Sequence, residues 1–112
     1  MTPTKMIVNL GGEGEIAGVI NQLPPFVLSP TWRTSRDGKT LEELVADGHA
    51  ILVCTNLQLP FPNDSVDDVI TNNVPIDVIT PFGPGVQTSE IQRILKGGGS
   101  WIDNGIARYV KP

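Results

Sequence analysis

The run Ala50-Ile51-Leu52-Val53-Cys54-Thr55 is apolar almost throughout. Such a run lacks the in-and-out alternation of a half-buried strand, and it signals a strand covered on both faces, as in a parallel sheet. A second β-branched run, Lys5-Met6-Ile7-Val8-Asn9-Leu10, is closed by Gly11-Gly12 and reads as another strand, expected to be central. Between the two lies a helix signal. Thr40-Leu41-Glu42-Glu43 forms a capping box, with Leu41, Leu44 and Val45 at helical spacing and Asp47-Gly48 as the stop. Strand, helix and buried strand in that order point to an α/β architecture.

At 112 residues the chain is read as a single domain. Hydrophobic residues make up 39%, and with the 12 glycines the apolar share reaches the globular average, which excludes a disordered tail. The longest apolar runs are too short to span a bilayer, and Met1-Thr2-Pro3-Thr4-Lys5 lacks a signal-peptide core, so a cytoplasmic site of action and no membrane partner are expected. A net charge of -4 argues against a phosphate-tracking surface, and nucleic acid is not an expected partner. One Cys rules out an internal disulfide and a Cys-rich zinc site, and one His leaves few metal-ligand sets, so no metal is assigned. His49 and Cys54 lie on opposite faces if both are in a strand, which favours a satisfied histidine and a buried thiol over a nucleophilic pair.

The glycine-rich turn Gly11-Gly12-Glu13-Gly14-Glu15 directly follows the first strand. It can cradle a ligand against backbone N–H groups, or it can be a tight turn between strands. Gly18 to Ile20 is the candidate second strand. Pro24, Pro25 and Pro30 disfavour regular structure, and the following loop, with Trp32, Arg33, Arg36 and Lys39, is the most basic part of the chain. That loop suits an anionic or aromatic partner, or is a solvated loop with Trp32 resting on the core. Val69-Ile70 ends a further strand, and Thr71-Asn72-Asn73 sits just past it as ligand contacts or as a turn. Pro81-Phe82-Gly83-Pro84-Gly85 is a lid or a plain connection. Ser89 with Gln92 reads as a second capping box, Gly97 as a helix stop and Ser100-Trp101-Ile102 as the next strand. Asp103-Asn104-Gly105 marks a hairpin turn into an antiparallel edge strand over residues 106–110.

Two blocks of the second half carry a resemblance. Leu59-Pro60-Phe61-Pro62-Asn63-Asp64-Ser65-Val66-Asp67-Asp68-Val69-Ile70 and Glu90-Ile91-Gln92-Arg93-Ile94-Leu95-Lys96-Gly97-Gly98-Gly99 resemble the matching motifs of the class I S-adenosylmethionine-dependent methyltransferases. The resemblance implies a small three-layer Rossmann-like α/β fold, with a mainly parallel sheet of five to six strands, few short helices and an antiparallel C-terminal edge strand. It also implies S-adenosylmethionine as cofactor, held at the C-terminal ends of the strands by Asn9, Gly11, Gly12, Gly14, Asn21, Thr55, Asn56, Leu57 and Thr71. Asn72 and Asn73 are then acceptor-side residues and Asp103 a base. The chain departs from the family where its three cofactor-gripping acids fall on Asn9, Asn21 and Thr55, where Glu13 and Glu15 replace two glycines, and where only about one turn is available for the first helix.

Three functions fit this pattern. One is methyl transfer by positioning an acceptor against the sulfonium. Another, by analogy of size, abrupt start and eroded motifs, is the C-terminal effector domain of a bacterial polymorphic toxin, delivered into a target cell's cytoplasm and neutralised by an immunity protein. The third is a non-catalytic protein-binding module. A small domain of this kind is expected to need a partner, an immunity protein or an activating subunit, or else a macromolecular substrate to close its site.

Overall fold

The computed structural model describes residues 5–12 and 16–112. Among the described residues, eight strands and two α-helices follow in the order β1 (Ile7–Leu10), β2 (Ile20–Leu23), α1 (Leu41–Ala46), β3 (Ala50–Val53), β4 (Val66–Thr71), β5 (Ile79–Thr80), β6 (Gly83–Pro84), α2 (Thr88–Ile94), β7 (Leu95–Asp103) and β8 (Ile106–Val110), with a 3-10 turn at Pro25–Leu28. Six strands form one sheet in the order β3-β2-β1-β4-β7-β8, while β5 and β6 make a separate two-stranded hairpin. All pairings in the large sheet are parallel except β7 with β8. The fold is the small Rossmann-like α/β domain expected from the sequence.

From β1 the chain steps outward to β2 and β3, then returns to pair β4 on the other side of β1. The gap between β1 and β4 is therefore the topological switch point, outside which ligands of open α/β sheets sit. The β2-to-β3 and β4-to-β7 connections run in opposite directions along the sheet, so right-handed crossovers put α1 and α2 on opposite faces. Burial agrees with this. Ile91 and Ile94 of α2 join Val8, Leu10, Val69 and Trp101 in the main core cluster, and Leu44 of α1 is buried outside it.

Local chemistry explains most boundaries. The Thr40 hydroxyl accepts from Glu43 N at 3.1 Å and Thr40 N donates to Glu43 Oε1 at 3.4 Å, so the first capping box forms as read. The second does not. Helix α2 begins at Thr88, and its cap is supplied from a distance by Asp77, which accepts from Thr88 N at 2.9 Å and Thr88 Oγ1 at 2.6 Å. Asn104 and Gly105 both have positive φ, 52° and 81°, the geometry of a type I′ hairpin turn. The second strand begins at Ile20 and runs to Leu23, because the Asn21 amide holds the preceding turn by donating to the carbonyls of Ile16 at 2.9 Å and Val19 at 3.4 Å.

Two expectations are corrected. The apolar run at Ala50–Val53 occupies an edge of the sheet, with Ala50 exposed and its neighbours half-buried, because nothing among the described residues pairs outside β3. Gly97, Gly98 and Gly99 do not stop a helix but lie within β7, where the four residues between Leu95 and Ser100 stand opposite the single residue Asp67 of β4. A Cβ on Gly99 would stand 2.5 Å from the Asp67 carbonyl oxygen, so this bulge requires a residue without a side chain.

The carboxylates that stitch these elements set the acid limit of the fold. Arg93 holds Glu90 below its ordinary range by hydrogen bonding, the Met6 backbone N–H does the same for Asp67, and the Thr88 hydroxyl for Asp77. A carboxylate with a depressed folded pKa contributes its full stability above its unfolded pKa and loses it as pH falls through the folded value. Thermal unfolding should therefore be flat between neutral pH and about pH 5, with Tm falling steadily below about pH 4. A Tm unchanged down to pH 3 would show that these contacts do not hold the fold.

Candidate functional site

The loops at the C-terminal ends of the strands meet at the switch point. Leu10 leads straight into Gly11, whose φ of 71° turns the chain; its N–H donates to the Gln22 carbonyl at 3.0 Å and to Gln22 Oε1 at 3.1 Å. Gln22 is fully buried, and its Nε2 donates to the Cys54 carbonyl at 2.7 Å, so one side chain ties the ends of β1, β2 and β3 together. Gln22 lies beyond the Gly18-to-Ile20 strand read from the sequence, and no local signal marks it.

Two adjoining cavities open there, sharing Gly11 and Val74 as common walls. The first, of about 140 Å³, is apolar and lies between Pro24 and Phe26 on one side and Phe82, Gly83 and Pro84 of the β5–β6 hairpin on the other. Phe26 and Phe82 meet ring to ring at 5.5 Å. The second, of about 510 Å³, is polar and lined by Asn9, Gly12, Ser35, Arg36, Asn72 and Asn73 among others. Together they reach the range of small-molecule sites, about 300–1,000 Å³. The segment Pro81-Phe82-Gly83-Pro84-Gly85 is thus part of a cavity wall. It is anchored by Val86 N donating to the Pro75 carbonyl and Gly85 N to the Val78 carbonyl.

Each cavity has a buried amide in its wall with one oxygen unsatisfied. Asn56 is 5% exposed; its Nδ2 donates to the Pro84 carbonyl at 3.0 Å, and its Oδ1 has no partner among the described residues. Asn9 is 3% exposed; its Nδ2 donates to Asn21 Oδ1 at 3.1 Å, and its Oδ1 likewise has no partner among the described residues. A buried acceptor without a donor costs about 1–3 kcal/mol. Such groups in a cavity wall are sites where an incoming donor gains what the fold forgoes.

Of the residues expected at a site, the fold brings Asn9, Gly11, Gly12, Asn56, Asn72 and Asn73 to these two cavities. Gly14 lies outside the described residues. Asn21 is fully buried within β2, where it supports Asn9 and accepts from Ile16 N. Thr71 is also fully buried, accepting from Trp101 Nε1 at 2.9 Å and donating to Asp103 Oδ1 at 2.8 Å. Asp103 is further engaged by Arg108 Nη1 at 3.1 Å, so both of its oxygens are occupied and it borders neither cavity. Thr55 is exposed and accepts from Leu57 N, and Leu57 faces a separate cleft beside Glu90 and Arg93. Burial pushes the Cys54 thiol above its ordinary pKa, which suits a structural rather than a nucleophilic cysteine.

Two segments distant in sequence, at Leu59 to Asn63 and at Glu90 to Arg93, meet in a single clamp outside the cavities. Arg93 donates from Nε and Nη2 to Glu90, from Nη2 to the Leu59 carbonyl, and from Nη1 to the Phe61 carbonyl and Asn63 Oδ1. Glu90 Oε1 in turn accepts from Leu59 N at 2.7 Å. All five guanidinium N–H groups are thereby used. Their role is to hold the Leu59-Pro60-Phe61-Pro62-Asn63 loop on helix α2.

Among the described residues no helix is long and apolar enough to cross a membrane, and no three His, Cys, Asp or Glu side chains gather as a metal site. No family model, curated protein or solved structure matches the chain.

Proposed function

We propose that the paired cavities bind an adenine nucleoside of the S-adenosylmethionine type, and that the domain acts as a methyltransferase-like module. The observation that carries this reading is the junction of an apolar, aromatic-walled slot with a polar cavity at the switch point, each with an unpartnered buried acceptor. A purine ring between Phe26 and Pro84 would bury its faces and offer its exocyclic amine to Asn56 Oδ1. The sulfonium side would then extend past Gly11 into the polar cavity, whose exposed rim carries Asn72 and Asn73.

The chemistry asks little of the protein. An acceptor's lone pair forms a bond to the sulfonium methyl as the carbon–sulfur bond breaks, its electrons stay on sulfur, and the acceptor's proton passes to water. Positioning and desolvation supply the rate. Asp103, held by Thr71 and Arg108, is not assigned a proton-transfer role. Asn73, whose N–H donates to Asn104 Oδ1 at 2.8 Å, is held on a fixed turn at the rim and is the better candidate to orient an acceptor.

Calorimetric titration with S-adenosylhomocysteine tests the reading. A Cβ on Gly12 would stand 2.8 Å from Asn9 Nδ2, so Gly12→Val should displace Asn9 and abolish measurable binding. Asn56→Leu, close in size but without the acceptor, should weaken binding about tenfold or more. No heat from the folded wild-type domain at millimolar ligand would sink the reading.

A further inference from the structure

The connection from β2 to α1 carries three cations within seven residues, Arg33, Arg36 and Lys39. Two are consumed locally. Arg33 Nη1 donates to the carbonyls of Pro30 at 3.0 Å and Trp32 at 2.8 Å, and Lys39 is paired with Asp47. Arg36 makes no hydrogen bond or ion pair with any described residue, and it lines the polar cavity together with Asn9, Gly12 and Asn73.

Its backbone is set in advance. Thr34 is 3% exposed, and it closes the turn around residues 35–38 from both ends. Its N–H donates to the Lys39 carbonyl at 2.9 Å, its Oγ1 accepts from Lys39 N at 3.0 Å, and its carbonyl accepts from Gly38 N at 3.0 Å. A cation presented on a closed turn loses less freedom on binding than one on an open loop.

Asn9 supplies the complementary group. Asn21 Nδ2 donates to the carbonyls of Ile16 and Ala50, which leaves Asn21 Oδ1 as an acceptor and makes Asn9 Nδ2 the donor toward it. Among the described residues the free atom of Asn9 is therefore the oxygen, buried beneath the cavity wall, where it takes a donor that reaches it and repels an anion. One wall offers a cation and another an acceptor. That pair matches an α-amino-acid group, with its carboxylate on the guanidinium and its ammonium on the amide oxygen. It matches a di- or triphosphate tail poorly, since that has no donor to give Asn9.

We infer that Arg36 is the specificity-determining residue of this site, selecting nucleosides that bear an α-amino-acid tail by pairing with the tail's carboxylate. The inference rests on nucleoside binding at the paired cavities. The test is titration of wild type, Arg36→Ala and Arg36→Lys with two probes, S-adenosylhomocysteine, which carries the tail, and 5′-methylthioadenosine, which lacks it. Arg36→Ala should weaken S-adenosylhomocysteine by about tenfold to a hundredfold and leave 5′-methylthioadenosine within about twofold, with Arg36→Lys between. Equal effects on both probes, or none on either, would overturn the role of Arg36 while nucleoside binding stands. Wild-type protein that binds neither probe would remove the nucleoside reading and this inference together.

Discussion

Trp101→Ala is expected to destabilise the domain by about 4 kcal/mol, within the range for truncating a buried aromatic. Trp101 is 2% exposed at the centre of the main cluster, on β7 between β4 and β8. Three things are lost together. The cavity left behind borders Val69, its register partner, and Thr71 Oγ1 loses the donor that fixes its hydroxyl toward Asp103. Arg108, whose guanidinium lies 4.8 Å from the ring centroid, loses the face it stacks on. A domain of this size has only about 5–15 kcal/mol in all, so the variant should sit close to its unfolding threshold. Urea unfolding followed by circular dichroism reads this directly. Trp101→Phe, which keeps most of the volume and removes the N–H, should cost about half as much or less. A midpoint unchanged by Trp101→Ala would mean that the sheet is not packed through this residue.

Arg93→Ala should cost about 3 kcal/mol, although Arg93 lies at the margin of the fold. The reason is the number of partners left behind. Without the guanidinium, the carbonyls of Leu59 and Phe61 and the Asn63 side chain lose their donor, and Glu90, its side chain 14% exposed, loses its counter-ion. Arg93→Lys should recover little, since one ammonium cannot satisfy five acceptor directions in a plane. Arg108→Ala removes a more exposed ion pair, its guanidinium side chain being 50% accessible, and should have a small effect. Equal midpoints for Arg93→Ala and Arg108→Ala would show that the clamp contributes no more than an ordinary surface pair.

The clamp also shows what the sequence could and could not convey. Leu59-Pro60-Phe61-Pro62-Asn63 and Glu90-Ile91-Gln92-Arg93 belong to the two blocks singled out in the sequence, and only the fold shows that they form one hydrogen-bonded unit. Local signals were read well. The Thr40–Glu43 box, the Asp47-Gly48 stop, the Asn104-Gly105 turn and the antiparallel edge at β8 each depend on a few adjacent residues. The parallel sheet followed from apolar runs that lack in-and-out alternation.

Signals that depend on distant partners were misread. Asp77 caps α2 from eleven residues away, so Ser89 and Gln92 are not needed for that work. The run at Ala50–Val53 has the composition of a strand covered on both faces, yet it is only half-buried at the sheet edge, because the pattern records side-chain chemistry and not what packs around it. Gly11, Gly12 and Asn56, singled out in the sequence, line cavities where strand ends converge. The oxygens of Asn9 and Asn56 and the Arg36 guanidinium, none with a partner among the described residues, depend on which partner each side chain finds. No spacing rule supplies that information.

The most direct test of the nucleoside site is a titration of the ¹⁵N-labelled domain with S-adenosylhomocysteine, followed by two-dimensional amide NMR. The side-chain NH₂ resonances of Asn9 and Asn56 should shift together with the backbone amides of Gly11, Gly12 and Asn73, and Lys111, on the far side of β7, should stay still. Shifts absent at millimolar ligand, or gathered around the Leu57 cleft instead, would contradict binding at the switch point.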